Sequence, residues 1–366
     1  MKKIILVLSQ ISLTILLLIA VFYRRGLVSN PIGQFTGFPI NHQQTGWGTS
    51  LYYPLINPEV EVARDIKVGI IDSGIAQNLE DEFYLEKQVS FSDSKNVNDQ
   101  LGHGTKIASI IAAKNNHKWT LGLAPSAKIY SYKVVDDDGA IKESYIIRAL
   151  KQAKDDGVDL VNFSMVVKNL TPELETAVND YLQTGGYFIT PAYDLKNLDV
   201  LNPLTSIDGV IVVGSFNDFF KILNPQEDID YYAPYTQETL SPNLQIIRSD
   251  GSSFSTAFVS GTIANFLSQS KSRTQIDHEL QTLFSQEAVT RKRQPLLVFY
   301  ETYREEVDLT YSVLGIGSCI LIVVEVFIGL GLILRNKSKR KYYLAQLSVQ
   351  LLVLILIAWL TLPTQM

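Results

Sequence analysis

The stretch Ser249-Asp250-Gly251-Ser252-Ser253-Phe254-Ser255-Thr256-Ala257-Phe258-Val259-Ser260-Gly261 reads as a tight glycine turn that delivers a serine to the first turn of an apolar helix. A hydroxyl there stands among backbone N–H groups without intrahelical partners, at the positive end of the helix dipole. Such donors suit an oxyanion, so the place favours a nucleophile in acyl transfer. A serine alone is too weak a nucleophile and needs a base, itself oriented by a third group. Taken by itself, Ser253 fits an ordinary helix N-cap as well.

Two upstream stretches supply the missing groups. Lys67-Val68-Gly69-Ile70-Ile71-Asp72-Ser73-Gly74-Ile75 is a short apolar run ending in a carboxylate and a glycine, a buried strand with Asp72 at its carboxyl end. Gly102-His103-Gly104-Thr105-Lys106-Ile107-Ala108-Ser109-Ile110-Ile111 sets a histidine just ahead of a helix that keeps Ile107, Ile110 and Ile111 on one face. With these residues the chain resembles the subtilisin-like serine proteases, or subtilases. Its three blocks are similar to the family motifs D-[ST]-G, H-G-T and G-T-S-M-A-x-P, in the family's Asp, His, Ser order. The resemblance implies a serine endopeptidase that hydrolyses peptide bonds through an acyl-enzyme, with Asp72, His103 and Ser253 as its triad. Plain structural roles stay open to each: a cap for Asp72, a polar core residue for His103, an N-cap for Ser253.

Around the three blocks, strand and helix patterns alternate. Strands are predicted over 67–72, 89–91, 127–134, 158–166, 186–190 and 209–214. Helices are predicted over 141–154, 172–182, 253–269 and 274–284, with an extended piece at 294–300. Such alternation argues for an α/β fold with a mostly parallel sheet covered on both faces. The resemblance implies the subtilisin-like three-layer form of it, over residues 64–300.

Further site residues come from the resemblance alone. Residues 158–166 are similar to the family strand V-[IV]-N-x-S, so Ser164, Met165 and Val166 would line a cleft that binds an extended substrate by strand addition. Thr190-Pro191-Ala192-Tyr193-Asp194 matches the block A-A-G-N and puts Asp194 at the oxyanion position. A carboxylate cannot donate unless protonated, and loss of the corresponding amide in subtilisin costs about 10²–10³ in rate. The backbone N–H of Ser253 remains a donor, and a slipped match would bring Asn197 instead. Tyr193 and Val166 stand where the family has glycines on opposite walls of the slot for the residue before the cut. Two bulky walls predict a preference for Gly or Ala there. Residues 114–125 resemble a loop that holds structural calcium, with Asp81 and Asn116 giving side-chain oxygens and Lys114, Lys118 and Thr120 giving carbonyls. A loop that keeps its shape without metal fits the neighbouring lysines too. The chemistry itself calls for no cofactor. Ala257 and Phe258, where the family has proline and histidine, imply a change of packing.

Composition sets the surroundings. The 366 residues carry a net charge of −5, which gives no footprint for nucleic acid. The single cysteine, Cys319, excludes an intrachain disulfide. Residues 1–25 hold an apolar run at 4–22 behind Lys2 and Lys3, an uncleaved anchor or a signal sequence. Runs at 313–334 and 344–362 are each long enough to span a bilayer. The basic loop between them, 335–343, belongs in the cytoplasm, which puts the peptidase domain outside the cell membrane. Residues 26–63 form a lead-in too short for a folded inhibitory prodomain, and 301–312 a charged stalk. Glu325 lies in mid-membrane on this reading, with Gln350 as its partner in a helical hairpin. The whole reads as a multi-pass, membrane-tethered endopeptidase that matures a secreted peptide or surface protein. Two alternatives stand beside it. One is a silent subtilase fold serving as peptide-binding sensor or immunity protein, which Asp194 favours. The other is a membrane hairpin as the working unit, which Glu325 favours.

Overall fold

The computed structural model describes residues 62–292, apart from 195–196 and 218–219, together with Gln43, Gly48, Thr49 and Tyr52. They lie in a compact unit formed by residues 35–294; a second unit, residues 1–34 and 295–366, lies outside the described residues. So do the three long apolar runs, the stalk, Glu325 and the extended piece at 294–300. Among the described residues no helix is long and apolar enough to cross a membrane.

Strand β1 (Lys67–Asp72) is followed by β2 (Tyr84–Ser90), helix α1 (His103–Ala112), β3 (Lys128–Lys133), α2 (Glu143–Asp156), β4 (Leu160–Asn162) and α3 (Pro172–Leu182). Then come β5 (Tyr187–Pro191), the short pair β6 (Tyr193–Asp194) and β7 (Asn197–Leu201), β8 (Val210–Phe216), β9 (Ile222–Leu223) and β10 (Tyr231–Pro234). A hairpin of β11 (Thr236–Ser241) and β12 (Gln245–Asp250) leads into α4 (Ser252–Ser268), and α5 (Arg273–Phe284) follows.

The main sheet runs β10-β8-β5-β4-β1-β3-β2, all parallel, with β9 added antiparallel beside β8. Its centre is apolar on both faces: every residue of β1 after Lys67 and all of β4 and β5 are buried. That is the pattern of strands covered by helices above and below. From β1 the chain moves outward to β2 and β3 on one side and to β4 and β5 on the other. The strand order therefore reverses between β1 and β4. Crevices outside the carboxyl ends of strands at such a reversal are where open α/β sheets bind ligands.

Helix α4 runs through the core. All of its residues except Ser253 are buried. Its polar side chains are satisfied inside: Ser255 Oγ shares a 2.8 Å bond with Ser215 Oγ, Thr262 Oγ1 donates to the Phe258 carbonyl, and Asn265 Nδ2 donates to the Leu123 carbonyl. Gly261 lets α4 lie against α1, because a Cβ there would sit 3.2 Å from Ile111 Cα and 2.9 Å from Leu123 Cβ.

Predicted and observed elements differ in places with identifiable causes. The predicted strand over 158–166 is a ladder only at Leu160–Asn162. Beyond it the chain leaves the sheet, because Ser164 bonds to the start of α4 rather than to a neighbouring strand. The hairpin β11–β12 was not expected from the pattern. Its strands mix polar and apolar residues, and Pro242 and Asn243 mark only its turn.

Candidate active site

The three residues singled out from the sequence line one cleft of about 340 Å³, with Ser73, Leu101, Val135, Gly139, Ile141, Ser164, Met165, Val166, Pro191 and Ser252. The cleft opens at the reversal between β1 and β4. Asp72 is the last residue of β1 and is buried. His103 is the first residue of α1. Gly104 brings that helix start onto the end of β1, since a Cβ there would meet the Gly74 carbonyl oxygen at 2.3 Å.

His103 Nδ1 lies 2.8 Å from Asp72 Oδ1 and 3.0 Å from Oδ2. A carboxylate only accepts, so Nδ1 carries the proton and Nε2 is left as the basic nitrogen. The carboxylate is itself held by the Ser73 N–H, which donates to Oδ1 at 2.7 Å. Burial works against the charged imidazole, but the charge and hydrogen bond of Asp72, with the charge of Asp99, outweigh it; Lys106 opposes them. The net effect raises the His103 pKa above its ordinary value. The Phe254 ring, 5.7 Å away centroid to centroid, packs against the imidazole.

Ser253 is not a cap. The residue at the N-cap position of α4 is Gly251, and Ser253 Oγ donates to the Ser164 carbonyl at 2.9 Å instead. Ser164 Oγ returns a bond to the Ser253 carbonyl, also 2.9 Å, and receives one from Asn162 Nδ2. Asn162 Oδ1 accepts from Ser260 Oγ one helical segment further along. The nucleophile position is thus fixed from β4 through a fully hydrogen-bonded set. Among the described residues no hydrogen bond joins Ser253 Oγ to the His103 imidazole; the hydroxyl is held by the Ser164 carbonyl instead, and catalytic hydrogen bonds of this kind are commonly loose until substrate is bound.

Other expected site residues are placed less evenly. Ser164, Met165 and Val166 line the cleft. Tyr193 does not. It is buried, its hydroxyl donates to the Leu223 carbonyl and accepts from the Ser215 N–H at 3.1 Å, and burial pushes its phenol up to about 12. The expected second bulky wall is therefore absent, and Pro191 lines the cleft in its stead. The physical reason is the pairing of β6 with β7, which turns Tyr193 toward β8 and β9. Asp194 ends β6 and faces Asn197 across that short hairpin. Ser252 Oγ donates to the Tyr193 carbonyl at 2.7 Å and ties this strand to the nucleophile's helix.

The calcium-type loop closes on an atom the sequence reading missed. Gln43 Nε2 is 2.8, 2.6 and 2.8 Å from the carbonyl oxygens of Lys114, Lys118 and Thr120, and 3.5 Å from Asn116 Oδ1. Four oxygens converging on one point suit a hard cation. The Gln43 amide nitrogen itself occupies that point, and its Oε1 accepts from the Asn116 N–H at 3.1 Å, which fixes the amide in this orientation. The four oxygens are of the kind calcium takes, and here the Gln43 amide satisfies them. Asp81 departs from expectation: it is exposed, and only its backbone carbonyl engages the loop, accepting from Lys114 Nζ. Among the described residues no cluster of three His, Cys, Asp or Glu gathers to hold a metal.

Asn162, Asp99 and Asn202 were also missed. Asn202 is buried and donates to the Met165 and Pro191 carbonyls, linking the two walls of the cleft. Asp99 and Asn202 lie outside the regular elements, where no periodic signal singles them out, and the strand motif that contains Asn162 does not show what its side chain bonds.

A parallel-sheet α/β domain with an Asp–His pair and a serine lining one strand-end cleft is the architecture of the subtilisin class. The sequence profile of the subtilase family matches residues 63–301, and the chain belongs to that family. Subtilisin E of Bacillus subtilis (strain 168) is 29% identical over 233 residues, which is 59% of this chain and 59% of that protein. Subtilisin of Bacillus pumilus is 29% identical over 233 residues, covering 82% of its length. A thermostable alkaline protease of Halalkalibacterium halodurans is 28% identical over 233 residues, 61% of this chain and 62% of its own. The crystal structure of a cold adapted subtilisin-like serine proteinase shares the fold, with a TM-score of 0.52, 20% identity, and coverage of 60% of this chain and 82% of that one.

Proposed function

We propose that this chain is a membrane-tethered serine endopeptidase that matures a secreted peptide or surface protein. The observation that carries the reading is the meeting of Asp72, His103 and Ser253 in one cleft, with the imidazole already oriented by the carboxylate. Ser253 Oγ attacks the substrate carbonyl while His103 Nε2 takes its proton. The imidazolium so formed is stabilised by Asp72 and returns the proton to the leaving amine; water then repeats the cycle on the acyl-enzyme. The Ser253 N–H, in the first turn of α4, stands ready for the oxyanion. Substrate backbone lies along Ser164, Met165 and Val166 in extended form.

The tether rests on the apolar runs 4–22, 313–334 and 344–362 and the basic loop between the last two, which favour an extracellular peptidase domain. Structural calcium within the Gln43 loop belongs to the same reading. A second reading, a silent fold that binds peptides, draws on Asp194 at the oxyanion position. Comparative peptidomics of culture fluid from cells carrying the natural chain or Ser253→Ala separates the two. The enzyme reading expects cleavage products that vanish with the serine. Identical peptide profiles, with the biological role intact, favour the silent fold.

A further inference from the structure

Behind the Asp72–His103 pair lies a second buried carboxylate that the triad chemistry does not use. Asp99 is 2% exposed. Its Oδ1 accepts from Ser73 Oγ at 2.8 Å, Leu101 N–H at 3.1 Å and Gly102 N–H at 2.7 Å. Its Oδ2 accepts from Thr105 N–H at 2.9 Å and Thr105 Oγ1 at 2.6 Å. All five partners are donors, which is the arrangement a carboxylate satisfies and an amide or acid does not.

Two of these contacts reach the triad from different sides. Helix α1 has Gly102 at its N-cap position, with no side-chain cap of its own. Asp99 supplies that cap from three residues before it, binding the Gly102 and Thr105 N–H groups that flank His103 and Gly104. A carboxylate at this end also opposes the positive pole of the helix. Meanwhile Ser73 Oγ gives its one proton to Asp99 Oδ1 at 2.8 Å and accepts from the Gly104 N–H at 2.9 Å, while the N–H of the same residue holds Asp72 Oδ1 at 2.7 Å, so Ser73 links the two acids.

We propose that Asp99 is a positioning residue of the triad: it caps the helix that begins with His103 and, through Ser73, holds Asp72 in register with the imidazole. The proposal rests on the endopeptidase reading above. Its charge has an electrostatic consequence too. The charged groups that bear on His103 are Asp72 from β1, Asp99 from the preceding loop and Lys106 from α1 itself, and only the two acids favour the imidazolium. Removing one of them lets the imidazole lose its proton at lower pH.

The test uses the full-length chain in membranes and a fluorophosphonate probe, whose labelling rate needs neutral His103 and no knowledge of the natural substrate. Asp99→Asn keeps the shape but turns an N–H₂ toward N–H donors. Its maximal labelling rate is expected to fall at least about tenfold, with the acid limb of the rate–pH curve moved to lower pH. A merely structural role lowers the labelled fraction but leaves that midpoint where it was. Ser73→Ala removes the link between the acids and the acceptor of the Gly104 N–H but leaves the Asp99 bonds to Gly102 and Thr105; it is expected to slow labelling several-fold, and it serves as the test if Asp99→Asn does not fold. Labelling by both variants at the natural rate and midpoint overturns the proposal alone. A natural chain that takes no label overturns the endopeptidase reading and this proposal with it.

Discussion

Val166 faces the cleft, at the position where the resemblance to subtilases implies a glycine. With Tyr193 turned away, it is the one bulky group left of the two expected to narrow the slot. Val166→Gly is expected to raise kcat/KM for substrates with Phe before the cut about tenfold relative to Ala, the range that a few methylenes in a pocket command. Steady-state kinetics on paired peptides check this; an unchanged Phe-to-Ala ratio places the restriction elsewhere. His103 sets the pH dependence. The base must be neutral, and its pKa is raised, so the acid limb of kcat/KM is expected above the ordinary imidazole value of about 6.5. A limb below that value contradicts the balance of charges around the ring. At this scale the sequence was informative where motifs exist. Asp72, His103 and Ser253, which line one cleft, could be picked out because a strand end, a glycine-flanked histidine and a glycine turn each leave a local mark. The direction Tyr193 takes, toward Leu223 and Ser215, was not legible, because a motif match gives position along the chain but not the direction of a side chain. Asn162 lies within the strand motif, but its bonds to Ser164 and Ser260 could not be read from it, and Asp99 in its loop leaves no periodic mark.

At the scale of the element, α4 is the member on which the domain is built. Phe258 is fully buried and meets Tyr52 and Phe284 edge-on, with centroids 5.8 and 5.9 Å away. Phe258→Ala is expected to destabilise the domain by about 3–5 kcal/mol, measured by denaturant unfolding; a loss under about 1 kcal/mol contradicts the tight packing of this helix. The same residue was read from the sequence only as a change of packing, and the aromatic cluster supplies its content. Helices α3, α4 and α5 were legible to within a residue or two because their apolar spacing or capping residues are local. The hairpin β11–β12 was not, because β11 is buried against α1 although most of its residues are polar, and neither strand alternates cleanly between polar and apolar residues.

At the scale of the whole molecule, the parallel order β5-β4-β1-β3 with its reversal beside β1 creates the cleft before any side chain is chosen. Alternating strands and helices were enough to predict such a sheet, but not which strands neighbour which. The loop around Gln43 joins the start of the domain to residues 114–120 and is expected to couple cation binding to folding. Removing calcium with a chelator should lower the melting temperature by several degrees, and Gln43→Ala should abolish that difference. Identical melting curves with and without chelator indicate a loop held by the Gln43 amide alone. The membrane tether has a separate check: the chain should stay in the pellet after carbonate washing, and its release into the supernatant contradicts the anchored reading.

The convergence of Asp72, His103 and Ser253 is tested most directly by exposing the full-length chain to a fluorophosphonate and mapping the modified residue by peptide mass spectrometry. Modification confined to Ser253, lost in His103→Ala and blocked by prior denaturation, is the predicted result. An unmodified Ser253 in the folded chain, or label that persists at another serine once Ser253 is replaced, contradicts it.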